Sequence, residues 1–153
     1  MTVRILSNSF HPCDEMERYQ ERFRGRRGRY GAAVSFVGTM RDFNAGATVE
    51  SMTLEHYPGM TEKQLLRLCD EARARWHIVD VLIVHRVGVV VPGDPIVLVA
   101  VWSAHRAEAF DGCRYLIEEL KTRAPFWKRE QIGKTGHWVA HNTPRSDSAR
   151  KLS

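Results

Sequence analysis

The sequence has few cysteines and no long apolar segment. Its 153 residues include only three cysteines, Cys13, Cys69 and Cys113, and no two of them form a CxxC pair. This spacing excludes a disulfide framework and a zinc ribbon and is typical of reduced thiols. No apolar run approaches the roughly 18 residues of a membrane span, and the opening segment lacks the layout of a signal peptide. We therefore expect a cytoplasmic protein that makes no membrane contact.

Acidic residues are missing from one short segment that carries the excess positive charge. The net charge is +5, and residues 22–29, RFRGRRGR, contain five arginines. Without this segment the net charge falls from +5 to 0, so the excess is confined to one loop. Two interpretations stay open, a solvated connection and a docking surface for an acidic partner. A nucleic-acid partner is the less favoured expectation, because the charge does not follow a whole face.

Apolar segments of two periodicities alternate along the chain and predict a mixed α+β domain. A polar end, residues 145–153, is expected to be a disordered tail after a single domain of residues 1–144. We expect a mixed β-sheet packed with two long helices. The predicted elements are a short helix at 14–23, a hairpin of 31–39 and 48–57 turning near Asn44 and Gly46, a helix at 61–76 capped by Thr61 and Gln64, strands at 78–88 and 95–103, with the second buried centrally, and a helix at 105–123.

Two motifs that suggest phosphate or metal binding are incomplete. Gly133-Lys134-Thr135 matches the end of a phosphate loop, but Lys128 stands where that motif requires glycine. His137 and His141 have a ligand spacing that suits a helix, yet their segment is β-like and no acidic residue nearby completes a site. We therefore predict neither a metal nor a bound cofactor.

Basic residues lie where predicted elements begin and end. Arg41 directly follows the first apolar strand, and His105 and Arg106 open the second long helix. Lys121 and Lys128 flank the end of that helix. Each could simply be a solvated or end-capping charge. Together they indicate a site for an anionic substrate such as a phosphate or a carboxylate.

The segment LKTRAPFWKRE, residues 120–130, strengthens this interpretation. Pro125, Phe126 and Trp127 are expected to form a rigid apolar wall that holds Lys121 and Lys128 near each other. Partly desolvated lysines can lose a proton near neutral pH and act as a nucleophile or general base. No carboxylate pair and no Ser-His-Asp order competes for the catalytic role.

The chain resembles the MoaE family, the large catalytic subunits of molybdopterin synthase, over about residues 31–140. The resemblance rests on five separated blocks, which are FVGTMRDFNAG, LEHYPGMTEKQL, HRVGVVVPGD, SAHRAEAF and LKTRAPFWKRE. It implies an α/β hammerhead-like fold and a sulfurtransferase that converts cyclic pyranopterin monophosphate into the molybdopterin dithiolene. The sulfur would come from the thiocarboxylated Gly-Gly end of a small ubiquitin-like subunit. A homodimer of this chain would form the centre of a heterotetramer.

The resemblance also implies roles for five residues. Lys121 and Lys128 would be the catalytic lysines, and Arg41, His105 and Arg106 would bind the pterin phosphate. A noncatalytic anion-binding or nucleic-acid-binding module, which would use the arginine-rich loop and aromatic residues, is the alternative.

Helix geometry separates these residues into two groups. His105 and Lys121 lie 16 residues apart in the sequence, which is about 24 Å along a continuous helix. Either the two groups come from different copies of the chain, or the helix breaks near Asp111 and Gly112.

Overall fold

The structure is a computed structural model that describes residues 1–22, 28–44, 47–132 and 135–139. Within these ranges, three helices and ten strands are present. The helices are α1 (Pro12–Gln20), α2 (Met60–Arg75) and α3 (Arg106–Arg123). The strands are β1 (Thr2–Leu6), β2 (Ala32–Thr39), β3 (Phe43–Asn44), β4 (Ala47–Thr48), β5 (Ser51–His56), β6 (Ile78–Arg86), β7 (Gly88–Val90), β8 (Pro95–Ser103), β9 (Phe126–Ile132) and β10 (Thr135–Val139). No helix in the described ranges is both long and apolar enough to cross a membrane.

The main sheet has the strand order β1-β6-β8-β2, and helices cover both of its faces. The pair β1 and β6 is parallel, whereas β8 is antiparallel to β6 and β2. Successive side chains of a strand point to opposite faces, so Val97, Val99 and Val101 pack with α2 and α3. Leu98 and Trp102 pack on the other side with Tyr19 of α1. The predicted mixed α+β architecture and the central position of β8 are both confirmed.

A second, antiparallel sheet has the order β10-β9-β5-β7, and residues of β5 and β7 contribute to a smaller core. The predicted hairpin of residues 31–39 and 48–57 is therefore wrong, because β2 pairs with β8 and β5 pairs with β7 and β9. Near Asn44 the chain forms only the short antiparallel pair of β3 and β4, with Phe43 opposite Thr48 and Asn44 opposite Ala47. The predicted turn falls on residues 45 and 46, which lie outside the described ranges. The turn stays a prediction, while the pairing of β2 and β5 is set by strands far along the chain.

The bounds of α1 and the cap of α2 differ from prediction. α1 begins at Pro12 and ends at Gln20 rather than spanning 14–23, and Pro12 suits the first helical position because its missing N–H would have no partner there. α2 begins after Gly59, whose φ of +79° favours glycine, and the Glu62 carboxylate accepts the Gly59 N–H at 2.6 Å. The predicted Thr61 and Gln64 cap is therefore wrong.

The second long helix is confirmed as one continuous element. α3 runs through Asp111 and Gly112 without interruption, so the predicted alternative of a break there is wrong. Gly112 is buried, and a Cβ at this position would lie 2.7 Å from Ile78 Cδ1. The glycine therefore allows α3 to approach β6 closely. The domain limit at residue 144 and the tail at 145–153 stay predictions, because residues 140–153 lie outside the described ranges.

Candidate functional site

Chain direction decides which predicted site residues lie at the same end of the main sheet. β2 and β8 are antiparallel, with Ala32 beside Ser103 and Thr39 beside Pro95. α3 follows β8, packs on β8 and β2, and so returns toward the Thr39 end. Arg41, two residues beyond β2, and the last turn of α3 therefore lie at this end of the sheet.

Lys121 lies in the last turn of α3, against β2. Its side chain is exposed, and Nζ lies 6.0 Å from the centroid of the Phe36 ring. This distance is at the outer limit for a cation above an aromatic face. Lys121 thus extends along apolar surface while its amine stays accessible from solvent.

Lys128 lies in β9 and is half-buried. Because side chains alternate along a strand, Lys128 and Phe126 share one face of β9. Leu54 and His56 of β5 stand opposite them in the ladder. Lys128 is also near enough to His85 for its charge to lower the pKa of that imidazole. The amine therefore lies at the junction between the two sheets.

The link between the two lysines is held by backbone and hydroxyl hydrogen bonds. Ala124 N–H donates to Leu120 O at 3.2 Å, and Phe126 N–H donates to Ala124 O at 2.9 Å. The buried hydroxyl of Thr61 donates to Pro125 O at 3.2 Å and accepts the backbone N–H of residue 57 at 3.1 Å. The short connection from α3 to β9 is thus fixed to the start of α2.

The predicted apolar wall is divided between two faces. Phe126 lies on the face of Lys128, whereas Trp127 points the other way and meets Tyr57 edge to face, with ring centroids 4.4 Å apart. Trp127 is 39% exposed and Tyr57 is 55% exposed. Only Phe126 therefore shares a face with a lysine, and the expectation of one continuous wall is wrong.

A charged network fixes the end of α3 against α2. Arg123 donates to both carboxylate oxygens of Glu71, at 2.7 and 2.9 Å, and Tyr115 Oη donates to the same carboxylate at 2.6 Å. The hydrogen bonds from Arg123 and Tyr115 lower the pKa of Glu71 to about 2. Arg123, two residues after Lys121, is therefore paired with a carboxylate within the chain.

Arg41 is exposed beyond a tightly held strand end. Met40 is buried, its N–H donates to Asp94 O, and its carbonyl accepts the Gly93 N–H, both at 2.9 Å. Arg86 Nη1 donates to the Asp94 carboxylate at 2.8 Å. The hydrogen bond from Val91 N–H, assisted by Arg86, keeps the pKa of Asp94 below its usual value. The turn before β8 thus fixes the backbone from which Arg41 projects.

His105 and Arg106 lie at the opposite end of α3, and one chain does not bring them to the lysines. His105 precedes the first helical residue, Arg106, and both side chains are exposed. His105 N–H donates to Ser103 Oγ at 3.4 Å, and that hydroxyl donates to Glu108 at 3.0 Å. These contacts fix the start of α3. Because an α-helix rises about 1.5 Å per residue, His105 lies about 24 Å along the helix from Lys121.

His85 is a buried residue beside Lys128 that the sequence analysis missed. It is 5% exposed, and its ring stacks on Phe126 with centroids 3.8 Å apart and an interplanar angle of 13°. Burial lowers the pKa of His85 to about 4, and the charges of Lys128 and His56 contribute, while a hydrogen bond to Arg86 O opposes the shift. Its position in the strand was the available signal, because it shares the inward face of Val81 and Ile83.

This burial predicts that the protein loses stability in mild acid. The unfolded chain protonates His85 near its ordinary pKa of 6.5, whereas the folded chain does so only near about 4. The unfolded state therefore binds more protons between these values, and stability falls as pH falls through this window. Between about pH 7.5 and pH 5 the loss from this group should be about 2 kcal/mol.

Urea unfolding at the two pH values measures this loss. His85→Phe is the matched comparison, because it keeps a flat ring and removes the titrating group, while all carboxylates remain. Its free energy of unfolding should fall less with acid than that of the wild type. An equal fall in both proteins would contradict the prediction.

The structure describes only part of the two incomplete motifs near the C-terminus and only part of the arginine-rich loop. Within the described residues, no group of three His, Cys, Asp or Glu side chains could hold a metal. His137 lies on β10, whereas His141 and residues 133–134 lie outside the described ranges, as do residues 23–27 of the arginine-rich loop. The chemistry available at the described site is that of two amines and a guanidinium.

The fold and the site define a class of protein, a small α+β domain with a cationic site at one end of its main sheet. Comparison with known proteins identifies the family. The sequence profile described as "MoaE protein" matches residues 9–123. This chain belongs to the MoaE family.

Three relatives illustrate the similarity. The chain is 46% identical over 139 residues to the molybdopterin synthase catalytic subunit of Pseudomonas aeruginosa, covering 91% of this chain and 90% of that protein. It is 53% identical over 116 residues to the same subunit of Ralstonia nicotianae, covering 76% of this chain and 66% of that protein. The crystal structure of molybdopterin synthase from Staphylococcus aureus superposes with a TM-score of 0.80 at 32% identity, covering 90% of this chain and 96% of that one.

Proposed function

We propose that Lys121, Lys128 and Arg41 form the active site with which this chain, as the catalytic subunit of a molybdopterin synthase, transfers sulfur. The observation that carries the proposal is the placement of Lys121 and Arg41 at one end of the main sheet. Lys121 is connected to Lys128 by six residues, 122–127, and hydrogen bonds fix this link. The substrate is cyclic pyranopterin monophosphate, and the product is the molybdopterin dithiolene. The chain is thus a sulfurtransferase of molybdenum cofactor biosynthesis.

Each residue has a role that suits its surroundings. Arg41 projects into solvent from a fixed backbone and binds the phosphate through its planar, permanently charged guanidinium. Lys121 and Lys128 supply amines for general acid–base or nucleophilic steps at the acyl carbon of the sulfur donor and at the pterin. His105 and Arg106 complete the phosphate site from a second copy of the chain.

The sulfur donor is a small ubiquitin-like subunit whose C-terminal Gly-Gly ends in a thiocarboxylate. Two glycines lack side chains, so such an end is thin enough to reach a confined amine. Two copies of this chain form the centre of a heterotetramer with one small subunit at each end. A cytoplasmic location fits this assembly, and the free thiols of Cys13, Cys69 and Cys113 support it.

Reconstitution tests the proposed function directly. The chain is incubated with the thiocarboxylated small subunit and the cyclic pterin precursor, and the dithiolene product is assayed. A small subunit that lacks its last two glycines is the matched control, since it should give no product even if it still docks. Absence of product with the intact partner, or equal product with the shortened one, would contradict the proposal.

Arg41→Ala should weaken substrate binding more than it slows the chemical step. Its charge is assigned to the phosphate, and charge-assisted hydrogen bonds contribute about 1.5 to 3 kcal/mol, which corresponds to a rise in KM of roughly 10- to 150-fold. Initial rates over a range of pterin concentrations measure this change. Arg67→Ala, an exposed arginine on α2, is the control and should leave KM unchanged. A normal KM in Arg41→Ala would remove Arg41 from the phosphate site.

A further inference from the structure

The two proposed catalytic lysines are carried by different layers of the molecule. Lys121 belongs to α3, which packs on the main sheet, whereas Lys128 belongs to β9 of the second sheet. Their relative placement therefore depends on contacts that fix one sheet against the other. Such a contact exists directly beside Lys128.

His85 and Phe126 make this contact between the sheets. His85 lies in β6 of the main sheet, and Phe126 is the first residue of β9. The two rings lie nearly parallel, with centroids 3.8 Å apart and an interplanar angle of 13°. Within the second sheet, His56 of β5 stands opposite Phe126 of β9, and the centroids of these two rings are 6.5 Å apart. The ring of Phe126 thus has an aromatic neighbour from each sheet.

A hydrogen bond fixes the orientation of the His85 ring. Its Nδ1 lies 2.8 Å from Arg86 O, and a carbonyl oxygen only accepts, so Nδ1 carries the hydrogen. Arg86 itself is held by Asp94 at 2.8 Å and by Val89 O at 2.9 Å. The plane against which Phe126 packs is therefore set by the backbone of β6 and the turn that follows it.

We propose that His85 is a positioning residue for Lys128: its ring fixes Phe126, and Phe126 fixes the point at which β9 presents the Lys128 amine. Phe126 and Lys128 are two residues apart on one face of the strand, so a shift of the ring carries the lysine with it. The inference rests on the proposed function, since it assigns Lys128 a part in the reaction. A displacement of about 1 Å at a reacting group can lower a rate by about 100-fold, which makes such support consequential.

Two substitutions of His85 separate positioning from stability. His85→Ala removes the ring and should lower kcat for dithiolene formation by at least about tenfold, with KM for the pterin unchanged, because substrate binding is assigned to other residues. His85→Phe keeps a flat ring but leaves Arg86 O without its donor, so it should lose thermal stability and yet retain most of kcat. Rescue by the phenylalanine variant is the signature of a positioning ring.

Val84→Ala is the matched control for general destabilisation. Val84 is the neighbouring residue of β6, is fully buried, and packs on the opposite face of the main sheet. It should lower the thermal midpoint and leave kcat unchanged at a temperature where it is folded. If Val84→Ala lowers kcat as much as His85→Ala does at a matched loss of stability, the positioning role is refuted. Wild-type kcat in His85→Ala, or failure of His85→Phe to restore kcat, would also refute it.

Phe126→Leu tests the same contact from the second sheet if His85→Ala does not fold. Phe126 is half-buried, so this variant should fold and should show the same fall in kcat. Full activity in Phe126→Leu would overturn the inference.

Lys128→Ala, assayed in parallel, separates the proposed function of Lys128 from the positioning role of His85. If Lys128→Ala is fully active, the proposed function of Lys128 fails; if it is inactive while the ring variants are fully active, only the positioning role fails.

Discussion

Lys121→Ala and Lys128→Ala are each expected to lower dithiolene formation by about 10² to 10⁴, the usual contribution of acid–base or nucleophilic groups. The fold should survive, because Lys121 is exposed and Lys128 is half-buried, and neither belongs to any of the three core clusters. Single-turnover assays with thiocarboxylated small subunit measure the loss, and circular dichroism checks the fold.

Two further variants refine this test. Lys63→Ala changes an exposed lysine on α2 that has no proposed part in the reaction, so it is the matched control and should keep the wild-type rate. Lysine-to-arginine substitutions keep the positive charge but replace a compact amine with a planar guanidinium that stays protonated. They should fail to restore turnover if the amine takes part in proton transfer or attack. Wild-type turnover in either alanine variant would remove that lysine from the mechanism.

The parts of the fold that depend on local periodicity were predictable from sequence. β8 reads as an apolar run on both faces, and it occupies the centre of a sheet covered on both sides. α2 repeats Leu65, Cys69 and Ala72 on one stripe, and all three are fully buried. In both cases the pattern of side chains along a few turns or residues determines which face enters the core.

Long-range pairing was not predictable in the same way. β2 could have paired with the next strand along the chain, but its partner is β8, which begins more than 50 residues after β2 ends. Thr61 has the sequence appearance of a helix cap, yet its hydroxyl donates to Pro125, 64 residues away. Such contacts depend on which layers meet in three dimensions, and no local propensity encodes them.

The candidate site also combines features that the sequence predicts with features that only the structure shows. Lys121 and Lys128 share one short segment with Pro125 between them, so the sequence alone led to the prediction that their side chains lie near each other. His85 is a single histidine in an apolar strand, and its contact with Phe126 becomes visible only when the two sheets are placed together. The separation of His105 from Lys121 also required the structure, because a break at Gly112 would have reversed the conclusion.

The second large effect is expected from mixing two inactive variants. α3 is continuous from Arg106 to Arg123, so His105 and Lys121 of one chain lie about 24 Å apart and cannot contact the same phosphate-sized group. If both act on one substrate, they come from different protomers, and a two-fold dimer builds two equivalent composite sites. His105→Ala and Lys121→Ala should then complement each other.

Random exchange of subunits sets the size of the recovery. In an equal mixture about half of the dimers contain one copy of each variant, and each such dimer has one intact site and one doubly defective site. Activity should therefore rise from near zero to at most about one quarter of the wild-type value. Mixing two preparations of Lys121→Ala is the control and should give no rise, since every site lacks the amine.

The experiment requires proof that subunits exchange between the dimers of the two variants. Mass spectrometry of isotopically labelled variants measures this exchange. Recovery that grows with the fraction of mixed dimers would place His105 and Lys121 in one site across the dimer interface. If mixed dimers form and activity stays at the level of the individual variants, the shared site is refuted. Because the continuous helix keeps His105 away from Lys121 within one chain, His105 and Arg106 would then act at a location separate from the lysines, and the phosphate contacts would fall to Arg41 and its neighbours alone.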